Sequence, residues 1–369
     1  MSAGQKILKT GWRAVVGLLL LTWIFHSIFR NEGRLVWQHQ GRVWENLSAW
    51  QQAGVAWTYG PAELWRTLCL IPVAVFILSL LFMGATIFLG VQRWRLVLRV
   101  PGLELPLSRT IGISFVAHFF NSFLLGSTGG DLIKAYYAAR ETHHKKTEAV
   151  TTVLVDRLIG LWAMLLFAGI MMLPNLEVLL RYRRLTVLCG VILAMLAGTS
   201  IILGVAFWGG ISSRFPNARS YLRRLPKGAV LERALEACRE YGRGKRFLGK
   251  TLALSMLLNL ACVLQLMVLA HGLGLRVPAL LLSVIVPMII CISALPITPS
   301  GLGVRENLFV YMLAVPEAGV PATTALSLSL LAYAGSLVWS LIGGVVYFCL
   351  RDKEHLTEVT HDEAVEEKM

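Results

Sequence analysis

The residues of this chain most able to do chemistry lie where glycine and proline interrupt long apolar runs. The first interruption is Asn121-Ser-Phe-Leu-Leu-Gly126-Ser-Thr-Gly129-Gly130-Asp131-Leu-Ile-Lys134. Gly129 and Gly130 can open a turn, and Asp131 can begin the helix that follows. Free amides at such a helix start attract anions, and Lys134 falls one turn beyond Asp131, so a phosphate group suits the place. The plainer alternative is a capped turn with no ligand. The second interruption is Pro296-Ile-Thr298-Pro299-Ser-Gly301-Leu-Gly303-Val-Arg305-Glu306, which puts a cation and an anion within one turn of a Gly-rich bend. Here the alternative is a capping or interfacial ion pair.

A third element is Asp156-Arg157, inside the otherwise apolar stretch Ala149–Leu173 and about 12 Å past its start at the helical rise per residue. Charges at that depth are costly and must find partners. Adjacent helical residues point about 100° apart, so the two need separate neighbours. Asp131, Lys134, Arg305 and Glu306 are the candidates. Irregular backbone cannot face lipid, because its unpaired amides would each cost several kcal/mol, so two breaks at membrane depth imply one protein-lined cavity. The expected substrate-contacting set is Asn121, Gly129, Gly130, Asp131, Lys134, Asp156, Arg157, Thr298, Gly301, Arg305 and Glu306.

Other chemistries find less support. Gly126–Lys134 lacks the Gly-Lys-Ser/Thr ending of a phosphate-binding loop, and Gly301-Leu-Gly303 lacks a third glycine and a strand. His143 and His144 are neighbours rather than at helical ligand spacing, so a solvated basic turn is expected and no metal. His118, Asn259 and Gln265 read as interhelical hydrogen-bond partners. No activated nucleophile is visible, so no catalytic residue and no cofactor are expected, and an intramembrane transferase is the least favoured reading.

The elements that must position these residues are membrane spans. The 369 residues are 56% hydrophobic and 15% charged, a balance foreign to soluble domains of this size. Thr67–Gln92, Leu185–Trp208, Thr251–Leu275 and Ala322–Leu350 each exceed the roughly 20 apolar residues of a crossing helix and carry no formal charge. Ala14–Phe29, behind Lys6, Lys9 and Arg13, reads as an uncleaved first span within segment 1–30. Five of the six cysteines lie in apolar segments and the sixth, Cys238, in a basic loop, as small hydrophobes rather than a disulfide framework.

The net charge of +14 sets the topology, and nucleic acid is not an expected partner. Gln92–Arg109 and the loop Ser212–Lys250, which opens after the span at about residue 209 and carries eleven basic residues, belong in the cytoplasm. Leu231, Ala234, Leu235, Cys238 and Tyr241 in that loop fall at the spacing of a surface-lying amphipathic helix. Both termini then lie on the cytoplasmic side of a bacterial inner (plasma) membrane. Residues 31–66, with five tryptophans, form an outer loop, and the acidic tail 351–369 is expected to be disordered. Both flanks of Thr110–Gly130 look cytoplasmic and both ends of Ala279–Pro316 look external, so each is a re-entrant hairpin. The expected fold is therefore an all-α polytopic membrane protein. It has about six full transmembrane helices plus two oppositely oriented re-entrant hairpins in an inverted repeat, within residues 67–350. Eight straight spans are the alternative. Arg181, Arg183 and Arg184, on an outer loop, break the charge rule.

Three segments together carry a resemblance to a known family. Gly126-Ser-Thr-Gly-Gly-Asp131-Leu-Ile-Lys134, Val155-Asp156-Arg157-Leu-Ile-Gly160 and Pro296-Ile-Thr-Pro299-Ser-Gly-Leu-Gly-Val-Arg-Glu306 resemble the transmembrane flippase region of the lysylphosphatidylglycerol synthetases. Arg93-Trp94-Arg95 looks like that family's short Arg-Trp signature. Lys134 stands where the family usually has Arg, Asp156 where it usually has Glu, and an intramembrane Arg near Tyr333 is missing. Relatives include the lipid-translocating half of the multiple peptide resistance factor and proteins tied to hopanoid synthesis or dolichol-linked glycosylation. The resemblance implies a free-standing member without the aminoacyl-transfer domain, one that does not itself make lysyl-lipid. It also implies a lipid flippase or transporter for a phosphate-bearing phospholipid, polyprenyl-linked or hopanoid-type lipid. Membrane lipids are then the partners; a non-transporting companion of a lipid-modifying enzyme is the rival, and the oligomeric state stays open.

Overall fold

In a computed structural model, the structure describes residues 43–123, 129–141, 146–207, 239–242, 244–295, 301 and 303–366, with scattered positions between 22 and 41. The described chain is helical and has no strand. Five helical stretches are long and apolar enough to cross a membrane: Val73–Arg99, Thr147–Arg181, Arg183–Phe207, Arg246–Gly272 and Ala322–Cys349. They correspond to five of the six expected spans; the first, Ala14–Phe29, lies largely outside the described residues, as do His143, His144, Thr298 and most of the amphipathic stretch before Tyr241.

In chain order the helices are α1 (Ala49–Cys69), α2 (Val73–Arg99), α3 (Leu107–Phe123), α4 (Gly129–Glu141), α5 (Lys146–Met172), α6 (Leu176–Arg181), α7 (Arg183–Phe207), α8 (Lys245–Gly272), α9 (Ala279–Ser293), α10 (Val304–Leu313) and α11 (Ala322–Glu366). Two boundaries differ from the sequence expectation. The second half of the tryptophan-rich segment, from Ala49 on, is a helix, with Trp50, Trp57 and Trp65 exposed. It runs to Cys69, and the next span starts at Val73 because Pro72, with no amide to donate, stands in extended backbone at the cap. At the other end α11 continues to Glu366 where disorder was expected; no glycine or proline interrupts it after Gly344.

The spine of the molecule is α5, which belongs to two cores. Its first half contributes Ala149, Val153, Val155 and Ile159 to a cluster with Trp94 and Val97 of α2, Ile113 of α3 and Phe207 of α7. Its second half contributes Leu165, Phe167 and Met172 to a cluster built around α9. Helix α9 is apolar on every side and nearly all of it is buried, as expected for a helix enclosed by others. By contrast α7 turns Val187, Val191, Ile201 and Ile202 outward, the surface a span offers to hydrocarbon. Helix α3 packs chiefly on α4 and α11, and α10 on α11 and α9, so each pair of short helices leans on the last span. His118 of α3 meets the Ser336 carbonyl of α11 at 3.3 Å, an interhelical contact of the expected kind. The arginines that break the charge rule are largely compensated: Arg181 pairs with Glu177 and Glu317, and Arg184 lies over the ring of Tyr311.

Candidate functional site

Asp156 and Arg157 find separate partners, as their angular offset requires. Asp156 Oδ1 accepts from Arg93 Nε at 2.8 Å, and its Oδ2 accepts from Lys134 Nζ at 3.2 Å. Arg157 instead meets Asp131 at 3.3 Å. Three spans and a short helix thus tie together here: α2 through Arg93, α4 through Asp131 and Lys134, α5 through Asp156 and Arg157, and α8 through Ser255, whose hydroxyl accepts from Arg93 at 3.2 Å. Lys134 also lies 4.1 Å over the ring of the buried Trp94, and Trp94 Nε1 donates to Thr152 of α5.

The cluster holds three cations and two carboxylates, one positive charge in excess. Burial divides it. The side chains of Arg93, Lys134 and Asp156 are 13%, 12% and 9% exposed, while Arg157 is 42% exposed. The excess cation is therefore presented by Arg157. Beside it lies a cavity of about 440 Å³, bounded by Arg93, Asp131, Asp156 and Arg157, by Gly160, Leu161 and Met164 of α5, by Leu258 and Asn259 of α8, and by Ala294 and Leu295 just past α9. Asn259, expected as an interhelical partner, lies at the cavity wall while its amide donates to Ser255 O.

Two of the expected site residues shape the wall rather than line it. The Asn121 side chain accepts from the Gly130 amide at 2.8 Å, stapling the end of α3 to the start of α4. Gly130 lies so close to the Ala117 carbonyl that any Cβ would collide with it. Gly129 is the first residue of α4.

Arg305 and Glu306 form a second, separate knot. The wholly buried Glu306 pairs with Arg305 and accepts from the Gly303 amide at 2.7 Å, an arrangement made possible by Gly303 at φ +82°. Arg305 also donates to Ser329 and lies 4.6 Å from the centroid of the Tyr333 ring. Gly301, at φ +69°, belongs to the turn before this knot. Neither Arg305 nor Glu306 partners Asp156 or Arg157, and neither bounds the cavity. The chain at the end of α9, just before the second interruption, reaches the cavity through Ala294 and Leu295.

A family model described as the lysylphosphatidylglycerol synthase TM region matches residues 47–344. The chain belongs to that family. No curated protein matches it closely enough to add to this. The lysylphosphatidylglycerol synthase TM region thus takes in the whole ionic cluster, the cavity and the second knot, and marks an integral membrane protein related to lipid handling. Within that region Arg93 is the functional candidate missed by sequence reasoning, which assigned it to a loop. Its signal is present in the sequence: Val91, Trp94 and Leu98 continue the helical spacing of α2 past the last apolar stretch, so Arg93 belongs to the helix. Gly160 is its counterpart, since a Cβ there would stand 2.8 Å from the Arg93 guanidinium.

Proposed function

We propose that this protein is a flippase or transporter for a phosphate-bearing membrane lipid, with the headgroup bound in the cavity between α2, α4, α5 and α8 and the hydrocarbon chains left in the bilayer. The observation that carries the reading is the exposed Arg157 at the edge of an ionic cluster of net charge +1 whose other two cations are largely enclosed. A phosphodiester supplies the one missing negative charge and a pair of non-bridging oxygens that a guanidinium fork can bond bidentately. The volume of about 440 Å³ suits a headgroup and is too small to enclose a diacyl lipid. Asp156 holds Arg93 and Lys134 as a fixed positive wall; Arg157, with only Asp131 opposite it, is the cation that exchanges partners.

Movement would come from the short helices. At the helical rise, the 17, 13, 15 and 10 residues of α3, α4, α9 and α10 reach about 26, 20, 22 and 15 Å, less than the roughly 30 Å of hydrocarbon. Two re-entrant hairpins of opposite orientation, rocking against the spans, give alternating access. The test is reconstitution of the pure protein in liposomes with labelled phospholipids and polyprenyl phosphates, comparing wild type with Arg157→Ala. Protein-dependent movement of at least one lipid, reduced tenfold or more in the variant, is expected as roughly the loss of one charge-assisted contact in a water-poor site. Absence of movement for every lipid overturns the reading; equal movement by both proteins removes Arg157 from it.

A further inference from the structure

A second cleft, which shares no lining residue with the cavity, lies where α2 ends. It has a volume of about 280 Å³ and is bounded by Arg95 and Arg99 of α2, the apolar Leu98, Leu103 and Leu105, Glu104 and Pro106. The chain returns over the helix end in a fixed way. Gly102, at φ +72°, lets its own amide donate to Arg99 O at 3.1 Å and the Leu103 amide to Leu98 O at 3.0 Å, the paired bonds of a left-handed helix stop. Pro101 and Pro106 bracket the segment. Glu104 is thereby carried, on stiff backbone, to the same cleft as the two arginines.

The charges in this cleft are not spent on one another. Arg95 donates to the neutral Gln92 side chain at 3.3 Å, and among the described residues no ion pair involves Arg95, Arg99 or Glu104. Two cations spaced four residues apart on one helix face and a carboxylate, over a leucine floor, complement a ligand with a phosphate, a primary amine and an apolar end. The position fits as well: Arg99 is the last residue of a span, where basic side chains meet headgroups.

We infer that this cleft binds the headgroup of an aminophospholipid, with Arg95 and Arg99 holding the phosphate and Glu104 the ammonium. The inference needs only the membrane setting and no transport, so it stands or falls apart from the cavity. Because the cleft lies in the link between α2 and α3, an occupied cleft also fixes the point at which the first short-helix pair leaves the span.

The experiment is hydrogen exchange of the full chain in nanodiscs of phosphatidylcholine, plain or doped with phosphatidylethanolamine or phosphatidylglycerol. It is read at the peptide covering Leu103–Pro106, so cavity binding does not enter. Ethanolamine lipid is expected to slow exchange there about fivefold or more relative to plain discs, since a bound ligand protects by its occupancy. Phosphatidylglycerol should slow it less. The double variant Arg95→Gln/Arg99→Gln should lose both effects, and Glu104→Gln should lose only the preference for ethanolamine over glycerol. Equal exchange in plain and ethanolamine-doped discs overturns the proposal. So does a preference that survives Glu104→Gln, or the same slowing produced by inorganic phosphate added to plain discs, which would make the cleft a free-anion site.

Discussion

Asp156→Asn is the substitution whose outcome follows most directly from the geometry. In the native chain one carboxylate serves two cations, Arg93 at 2.8 Å and Lys134 at 3.2 Å, both nearly buried. The amide keeps the shape and can still accept, but the cluster passes from one excess positive charge to two, and neither Arg93 nor Lys134 has another carboxylate partner among the described residues. Breaking a buried pair by removing one member costs about 3–5 kcal/mol, and the open cavity beside Asp156 places this case near the lower figure, about 3 kcal/mol. At about 2 °C per kcal/mol for a large domain, the melting point should fall by about 6 °C. Tryptophan fluorescence during a thermal ramp of the purified protein in detergent measures it. The double variant Asp156→Asn/Lys134→Met removes one stranded cation and should recover a good part of the loss. A melting point for Asp156→Asn within about 1 °C of wild type, or a double variant less stable than the single one, would refute the assignment of Asp156 as the shared anchor.

Two further outcomes separate anchoring from binding. Arg157→Gln should cost less than about 1 kcal/mol in the same thermal assay, because its pair with Asp131 is partly exposed and solvent-screened, while the lipid movement proposed above should fall at least as far as in Arg157→Ala. Gly160→Val should push the Arg93 guanidinium off Asp156, with a loss of about 1–3 kcal/mol from overpacking; Gly160→Ala should fall between it and wild type. Gly160→Val melting like wild type would show that Arg93 has room the structure does not give it.

Much of the framework was legible because hydropathy is a local property: five spans follow from uninterrupted apolar runs, whatever packs against them. The separate partnering of Asp156 and Arg157 was legible for a similar reason, since the offset of adjacent residues on a helix is fixed before any tertiary contact forms. What failed depended on register between elements. Arg305 and Glu306 satisfy one another, Ser329 and the Gly303 amide within their own corner, and no spacing in the sequence distinguishes that from a reach to Asp156. Arg93 was lost because a charge at the end of an apolar run looks like the start of a loop, whereas α2 continues to Arg99 and buries Trp94 beside it. The helix over Ala49–Cys69 carries too many polar residues for a hydropathy signal, and its proline, Pro61, argues locally against it.

On the proposed reading, a phosphate entering the cavity would compete with Asp131 for Arg157, because Asp131 is the only carboxylate within ion-pair distance of that guanidinium among the described residues. Binding would then release Asp131, which sits at the start of α4, and would so couple the occupancy of the cavity to the short-helix pair α3–α4 that Asn121 and Gly130 staple together. Asp131→Asn removes the competitor while leaving the Asp156 anchor intact. It should tighten binding of an anionic headgroup by about tenfold, the equivalent of about 1.4 kcal/mol, and slow net movement, because the bound state no longer has a rival to displace it. Binding is read by titrating a short-chain phosphatidylglycerol into the purified protein by calorimetry, and movement in the same liposomes used for wild type. Tighter binding with slower movement supports partner exchange at Arg157. Weaker binding in Asp131→Asn would mean that Asp131 positions Arg157 for the phosphate instead of competing with it, and the exchange step would have to be abandoned.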